Sequence, residues 1–455
     1  PTEAKWDNHL YVETEGVFRT TLNPGESDVL KAEMERDDFV AWLRHCGARA
    51  LVHEHDNLDV AASLQALDAL DGAPHAIALE SDSGFVDRLG DSRGVRTPDD
   101  PGAVAMIVYT SGTTGAPKGV TLSHGNLLAN AEAVVEYLGI GPDDSVLDVL
   151  PFYYAYGASV LHTHLIRGAR IVLAPSMLFP NLVVDALRRE AVTGFSAVPS
   201  TFALLLERGR LDGLDAPALR YLTQAGGAMS PALTRRVRDA LPGPRLFVMY
   251  GQTEATSRLT YLPPERLDDK PGSVGRPLAG VEIAVLRDDG QRAATGEDGE
   301  VCARGPNVML GYWDNTEATA ITLRDGWLHT GDIGHLDQQG YLHITDRKKD
   351  MIISGGSNVY AREVEEVLQR APGVREAAVI GLPHPKWGEM VAAVLVAQDG
   401  VTVSEPELAA FCRREIADYR RPKAFFRAEA LPRNAYGKVL KRELRERLDA
   451  LATPI

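Results

Sequence analysis

Long hydrophobic runs are missing from this sequence. The most apolar stretch, around Val104–Tyr109, falls far short of the roughly 18 residues that would read as a membrane span. Cysteine is scarce, and Cys46, Cys302 and Cys412 are widely separated, which supports neither a disulfide framework nor a metal-ligand cluster. No basic-then-apolar leader is visible at Pro1, so a reducing cytoplasm is the expected compartment. Low-complexity tracts and repeats at solenoid or propeller periods are absent as well. Positive charge is in deficit: 48 Lys and Arg stand against 63 Asp and Glu, a net −15, which argues for solubility and against a general nucleic-acid binder.

What is present is an ordinary globular composition, 44% hydrophobic and 24% charged over 455 residues, enough for a large body plus a satellite. The acidity is uneven. From Arg347 onward 19 basic residues face 15 acidic ones, a net +4, while the preceding chain carries 29 against 48, a net −19. That asymmetry is expected for two domains with different electrostatic tasks.

Short β-rich runs alternate with helical patterns, as in Val104–Tyr109 (strand), Asn126–Tyr137 (helix), Ala169–Ala174 (strand), Asn181–Ala191 (helix) and Leu246–Tyr250 (strand). The alternation predicts α/β layers with largely parallel sheets. Around Gly272–Tyr312 short strands with glycine punctuation, such as Val281–Val285 and Gly299–Ala303, predict a β-rich subdomain of hairpins. Beyond the charged turn Asp346–Asp350 comes a compact α+β segment with helices near Ala361–Arg370 and Glu405–Ala417 and a strand at Val391–Ala397. The expected organisation is a large domain over residues 1–346 and a small domain over 347–455.

The most specific feature is Tyr109-Thr-Ser-Gly-Thr-Thr-Gly-Ala-Pro-Lys-Gly119, set between a predicted strand and a predicted helix. Such a loop can wrap an anion: Gly112 and Gly115 let the backbone approach, Ser111, Thr113 and Thr114 supply donors, and Lys118 adds charge. Its spacing fits neither G-x-x-x-x-G-K-[ST] nor G-x-G-x-x-G. On composition alone, phosphate binding and a plain polar turn both remain open.

The complete string resembles the phosphate loop of the adenylate-forming superfamily, which contains acyl-CoA synthetases, firefly-type luciferases and peptide-synthetase adenylation domains. Four further segments agree in order and spacing: Tyr250-Gly-Gln-Thr-Glu254, Thr330-Gly-Asp332, Asp346-Arg-Lys-Lys-Asp350 and Pro432-Arg-Asn-Ala-Tyr-Gly-Lys438. The resemblance runs from about Gly47 to Leu448 and implies a mobile C-terminal domain. It also implies the reaction. A carboxylate attacks the α-phosphorus of ATP, pyrophosphate leaves, and the acyl-adenylate then yields its acyl group to a thiol.

Charge builds on phosphate oxygens, so positioning and electrostatic stabilisation dominate. By resemblance Thr110, Ser111, Gly112, Thr113, Thr114, Gly115 and Lys118 cradle the β- and γ-phosphates, with Thr113 counted among the catalytic groups. Glu254 helps hold Mg²⁺, a hard cation that takes oxygen ligands. Tyr250 stacks on adenine beside Gly227 and Ala228, with Gln252 and Thr253 in the same nucleotide motif. Asp332 accepts from the ribose hydroxyls next to Arg347, and Lys438 bridges the substrate carboxylate and the α-phosphate.

Lys349 occupies the hinge position, about which relatives rotate the small domain between half-reactions. Gly355 and Gly356 resemble the turn lining the pantetheine tunnel. The cluster Arg413, Arg414, Arg420, Arg421 and Lys423 suits CoA, an acidic carrier protein or a plain solvated helix face. Pro151-Phe-Tyr-Tyr-Ala-Tyr-Gly157 resembles the gate of the acyl pocket, placing Tyr154 there, with Ser200, Ala225, Gly226 and Met249 completing a largely apolar wall. Ala155 stands where α-amino-acid-activating relatives place an aspartate, and a buried ammonium without a counter-charge is costly, so α-amino acids are disfavoured, while a β-amino acid bound through an acidic residue elsewhere and loaded onto a separate carrier stays open. His124, His162, His164 and His329 lack a ligand constellation and read as structural.

Seventeen residues follow Lys438, so the acceptor is expected to be a separate molecule: CoA, a phosphopantetheine carrier protein, or less favourably an amine. Other readings are a nucleotide-binding regulator without turnover and a luciferase-like oxygenase. One departure from the family pattern is the abbreviated segment before the phosphate loop, only 108 residues ahead of Tyr109, in which Pro1–Thr21 matches nothing recognisable.

Two substitutions test these assignments. Lys438→Ala is expected to slow acid-dependent ATP–pyrophosphate exchange by about 10²–10³, and near-normal exchange removes the lysine from that role. Lys349→Pro is expected to spare exchange and impair thioester formation; equal loss of both half-reactions refutes the hinge.

Overall fold

The computed structural model describes residues 100–110, 118–174, 177, 179–398, 400–433 and 439–455, and the backbone of two strands, β1 (Ala50–Glu54) and β2 (His75–Leu79), which pair in parallel. Pro1–Thr21, Cys46, Ser111, Gly112, Thr113, Thr114, Gly115 and Lys438 lie outside the described residues. The chain divides into two compact units, residues up to 283 with 303–328, and residues 284–302 with 329–455.

In the first unit β3 (Val104–Thr110) and β4 (Lys118–Ser123) form an antiparallel pair flanking the glycine loop. Helix His124–Leu138 follows directly. Ser123 accepts from Asn126 N at 3.1 Å and Asn126 Oδ1 accepts from Ser123 N at 2.9 Å, a reciprocal N-cap. Gly139, with φ 63°, ends the helix in the left-handed conformation.

Then come β5 (Ser145–Asp148), β6 (Arg170–Leu173), β7 (Gly194–Ala197), β8 (Tyr221–Gln224) and β9 (Arg245–Tyr250). They pair in parallel in the order β6-β5-β7-β8-β9. β5, β7 and β8 are buried along their whole length, the pattern of a parallel sheet covered on both faces. The connecting helices Pro180–Arg189, Pro199–Arg208 and Pro231–Ala240 each place a proline in the first turn, where its missing N–H leaves no bond unmade. β10 (Thr260–Leu262) pairs antiparallel with β9, and β11 (Ser273–Pro277) pairs antiparallel with β10, extending the sheet.

Helix Ala155–Leu165 carries no helical periodicity in sequence because eight of its eleven residues are buried. In the glycine-punctuated region β12 (Glu282–Leu286) and β13 (Gly299–Arg304) lie side by side, as the local pattern predicts, whereas β14 (Gly311–Tyr312) pairs with the distant β4 and β15 (Leu323–Arg324) pairs with the start of β16 (Trp327–Leu336). In the second unit the order is β12-β13-β16-β17, with β17 at Leu342–Arg347.

After β18 (Ile352–Ser354) and β19 (Ser357–Val359), the second unit centres on β20 (Val374–His384) and β21 (Gly388–Ala397). Alternate residues of β21 face two cores. Val391, Ala393 and Leu395 meet Val364 and Leu368 of helix Ala361–Leu368, and Ala392, Val394 and Val396 join the cluster of Leu444 and Leu448. A two-fold period with both faces covered is what makes this strand uniformly apolar. β22 (Ala424–Arg427) adds in parallel and β23 (Thr453–Pro454) closes the edge.

One backbone contact sets the loop after β9. A Cβ on Gly251 would stand 2.1 Å from Ser257 O and 2.7 Å from Arg258 Cα, so only glycine lets the loop fold back and Leu259 N reach Tyr250 O at 2.8 Å. Gly251→Ala is expected to cost about 3 kcal/mol, a fall of roughly 5–10 °C in the thermal midpoint of a unit this size. An unchanged midpoint in a melting curve contradicts the contact.

Candidate active site

The carboxyl ends of the parallel strands gather most of the expected pocket residues of the first unit. Beyond β5 the chain runs through Pro151 to Tyr154, which begins helix Ala155–Leu165. β7 leads into Pro199 and Ser200, β8 into Ala225, Gly226, Gly227 and Ala228, and β9 ends at Met249 and Tyr250. This edge of an open α/β sheet is where such folds bind ligands.

Close approach dictates two glycines here. A Cβ on Gly157 would lie 2.2 Å from Pro151 O. Gly226 has φ 80°, and a Cβ there would meet Val198 Cγ1 at 3.1 Å and Tyr156 Cδ1 at 4.0 Å. Gln224 Nε2 closes the turn by donating to Gly227 O at 2.8 Å. Gly226, Gly227 and Ala228 are exposed, whereas Ala225 and Met249 are buried in a core cluster with Tyr156, Tyr221 and Phe247. Tyr137 donates its hydroxyl to Met249 Sδ at 2.8 Å.

The loop after β9 carries Gln252, Thr253 and Glu254, with Thr253–Ala255 in a 3₁₀ turn. It is braced from the far side. Thr256 Oγ1 donates to Asn307 O at 2.6 Å, Asn307 Nδ2 donates to Arg258 O at 2.7 Å, and Met309 N donates to Glu254 O at 2.9 Å. Tyr312, on β14, donates its hydroxyl to Glu254 Oε1 at 2.8 Å. Burial, then the Glu254 charge, push the Tyr312 phenol well above its usual pKa, so it stays a neutral donor. Lys118 Nζ lies 5.1 Å from the centre of the same ring. Tyr312 thus joins the loop lysine to the glutamate, a role the sequence did not reveal because the β14–β4 pairing that makes it is long-range.

Glu254 Oε1 is oriented and its other oxygen makes no hydrogen bond among the described residues. One fixed, half-buried carboxylate suits Mg²⁺, which takes one or two protein carboxylates and otherwise water and phosphate oxygens. No group of three His, Cys, Asp or Glu among the described residues forms a cage for a metal. His162 is held down to about 4 by burial, and His164 is enclosed by Val160 O and Tyr221 OH, each at 2.7 Å. His164 is a core residue and His162 a partly buried, neutral one.

In the second unit Asp332 on β16 and Arg347 on β17 are direct cross-strand partners, with Arg347 Nε 3.0 Å from Asp332 Oδ1. The aspartate side chain is 5% exposed and the arginine 40%, so the carboxylate is buried while the guanidinium reaches toward the surface. Thr330 sets the turn before it: its hydroxyl donates to Val301 O at 2.6 Å and accepts from Asp332 N at 3.1 Å. Behind this lies Glu300, 3.2 Å from both His329 Nδ1 and Lys348 Nζ. Burial alone would raise the Glu300 carboxyl, but His329 and Lys348 hold it below its usual range. Burial, then the Arg347 guanidinium, lower the Lys349 ammonium.

Gly355 and Gly356, both with positive φ, form the two-residue turn between β18 and β19, the geometry of a type I′ hairpin. Gly355 N donates to Trp387 O at 2.9 Å. The Trp387 ring stacks on His384 at 4.2 Å, with Lys386 and Lys423 ammonium groups 5.6 and 6.0 Å from its centre. Within the basic cluster, Arg420 pairs with Glu363 and Arg421 with Asp418, leaving Lys386 and Lys423 as the exposed cations beside the tryptophan. Lys438 lies outside the described residues, but the base of its loop is pinned by the Arg433–Val439 bridge and by Leu440 N donating to Pro432 O at 2.8 Å.

A family model described as AMP-binding enzyme matches residues 27–313, and one described as AMP-binding enzyme C-terminal domain matches residues 363–438. The chain is 38% identical over 411 residues to a feruloyl-CoA synthase of an Amycolatopsis species, covering 89% of this chain and 80% of that protein. It is 39% identical over 345 residues to a 2-succinylbenzoate–CoA ligase of Bacillus cereus, covering 76% and 70%. Among solved structures, ATP-bound MatB from Rhodopseudomonas palustris superposes with a TM-score of 0.84 at 31% identity, covering 92% of this chain and 83% of that one. The o-succinylbenzoate CoA synthetase MenE from Bacillus subtilis, in complex with its acyl-adenylate intermediate, gives 0.79 at 34%, covering 91% and 82%. The chain belongs to the AMP-binding enzyme family, the adenylate-forming enzymes that include the AMP-forming acid–thiol ligases.

Proposed function

We propose that this protein is an AMP-forming acyl-CoA ligase, with CoA as the thiol acceptor. The observation that carries the adenylation half is the assembly of the Gly226–Ala228 turn, Tyr250 and the Tyr312-oriented Glu254 at one sheet edge of the first unit. A carboxylate oxygen of the acid forms a bond to the α-phosphorus of ATP, the bond to the β-phosphate oxygen breaks, and pyrophosphate leaves. A thiolate then attacks the carbonyl and AMP departs.

Each group has a task in this sequence. Tyr250 and the Gly226–Ala228 turn take adenine, and Asp332, fixed by Thr330 and Arg347, takes the ribose hydroxyls. Lys118 and the glycine loop hold the outer phosphates, and Lys438 meets the developing charge at the α-phosphate. A magnesium ion, when bound by Glu254, supplies further neutralisation of the phosphate oxygens. Arg347 and Lys349 lie at the hinge, and the lowered ammonium of Lys349 eases its transfer between environments as the small domain turns.

Support for CoA over a carrier protein comes from both sides. The curated relatives above are named for CoA thioester formation. Beside the Gly355–Gly356 turn, Trp387 with His384, Lys386 and Lys423 offers an aromatic face ringed by cations, which is the chemistry that recognises a phosphorylated adenine nucleotide. Another structural relative, at TM-score 0.81 and 31% identity over 92% of this chain and 83% of that one, is the amide bond synthetase McbA from Marinactinospora thermotolerans, so an amine acceptor belongs in the same assay. No helix among the described residues is long and apolar enough to cross a membrane, and we place the enzyme in the cytoplasm.

The test is acid-dependent ATP–pyrophosphate exchange followed by discharge of the adenylate to CoA, a phosphopantetheinylated carrier or an amine. Exchange followed by acyl-CoA release is expected. Trp387→Ala should raise KM for CoA about 10-fold, from a stacking contribution of about 1–3 kcal/mol, without altering exchange. Discharge only to a carrier or an amine defeats the CoA assignment.

A further inference from the structure

Lys118 and Glu254 share one tyrosine and do not pair with each other. Tyr312 donates its hydroxyl to Glu254 Oε1 at 2.8 Å, and Lys118 Nζ lies 5.1 Å from the centre of its ring. All three residues are half-buried and so remain partly accessible to solvent. Among the described residues no carboxylate neutralises Lys118 and no cation neutralises Glu254. Opposite charges in a partly desolvated site attract more strongly than in water. Had they closed on each other, the ammonium would be turned from the phosphates and the carboxylate from a cation.

The backbone holds Tyr312 at this place. Gly311 and Tyr312 pair with Thr121 and Val120 of β4, the strand that Lys118 opens, and Trp313 N donates to Gly119 O at 2.7 Å. Thr319 Oγ1 accepts from Tyr312 N at 2.8 Å. The Glu254 backbone is fixed as firmly. Its carbonyl accepts from Met309 N at 2.9 Å, and the loop returns through Thr256 and Ser257 at φ of 58° and 114°, held by Asn307. Non-glycine residues rarely adopt such angles, and they gather at ligand sites. The Glu254 side chain, by contrast, has the Tyr312 hydroxyl to orient it.

We propose that Tyr312 is a positioning residue for the metal–nucleotide complex. Its hydroxyl aims Glu254 at the cation, and its ring seats Lys118, so that the two charges flank the phosphates instead of neutralising one another. The inference rests on the nucleotide and magnesium part of the reading above and adds a residue to it. The two tasks need two parts of one side chain: an O–H that donates to an acceptor-only carboxylate, and a ring face that attracts an ammonium.

Two substitutions separate those parts. Tyr312→Phe keeps the ring and removes the donor, and Tyr312→Leu removes both. ATP affinity is measured by equilibrium dialysis without any acid, once in EDTA and once across a Mg²⁺ series. Wild type is expected to bind ATP more tightly with Mg²⁺. Tyr312→Phe should lose about 10-fold of that advantage, the scale of removing a hydrogen bond behind a metal-bound carboxylate, with metal-free ATP binding unchanged. Tyr312→Leu should weaken metal-free ATP as well, by about 3-fold. In a Glu254→Gln background Tyr312→Phe should change nothing further. An unaltered Mg²⁺ advantage in Tyr312→Phe overturns the proposal. So does an equal loss with and without metal, or a failure of that variant to fold, either of which makes the tyrosine structural. A wild type that gains nothing from Mg²⁺ removes the Glu254 metal site and this inference with it. If the binding pattern holds but no acid supports pyrophosphate exchange, the acid-activating reading fails and the Tyr312 assignment stands.

Discussion

The return of the chain at Gly251 is the constraint from which the first unit's site follows. Ser257 O occupies the space that a side chain on Gly251 would need, so residues 251–258 close into a loop whose ends meet at Tyr250 and Leu259. That closure sets three side chains at once. Tyr250 stays at the end of β9, Glu254 faces the Tyr312 hydroxyl, and Arg258 is driven inward against Tyr156. Asn307 and Met309 hold the loop from outside, and the conformation of Thr256 and Ser257 is tolerable only because those bonds over-determine it.

How much of this the sequence discloses depends on whether the signal is local. The glycine turn at Gly355–Gly356, the capped helix after Ser123 and the strands around Leu246 and Val391 announce themselves through spacing that short-range geometry requires. The family motifs likewise mark Tyr250, Glu254, Asp332 and Arg347 as short strings. Helix Ala155–Leu165 is silent because burial on nearly all sides erases the amphipathic period. The long strand Val374–His384 is hard to see because Gly381 and Pro383 interrupt it near its end.

Site residues divide the same way. Tyr312 reads as one more aromatic after a glycine until β14 pairs with β4 and brings its hydroxyl to Glu254. Arg258 reads as a solvated charge, since arginine is seldom enclosed, and only the tertiary fold shows it at 2% exposure. Ala225 and Met249, expected on the pocket wall, lie in the core cluster at 2% and 4% exposure. Their immediate neighbours Gly226 and Tyr250 remain partly or fully accessible, because one step along a strand end is enough to turn a residue from one side to the other.

The second unit holds a buried charge in a different way. Three residues beyond Lys438, Lys441 Nζ is 2.8 Å from Glu365 Oε1, with side chains only 14% and 15% exposed. Glu365 also accepts from Val379 N at 2.7 Å, tying the lysine to β20. Burial opposes the Lys441 ammonium, but Glu365 and then Asp346 outweigh it and hold its pKa above the usual value. Asp346 in turn accepts from Arg347 N at 2.7 Å, while Arg362 Nη1 donates to Ile344 O at 3.0 Å. The ion cluster therefore links the end of the lysine loop, helix Ala361–Leu368 and the strand that carries Arg347. A buried pair of this kind adds little net stability over apolar packing. What it adds is register, since an ammonium with two carboxylates around it has one place to sit. Arg258 and Lys441 show the same physics met in two ways, one buried charge held by a carbonyl, hydroxyls and a ring face and the other by carboxylates.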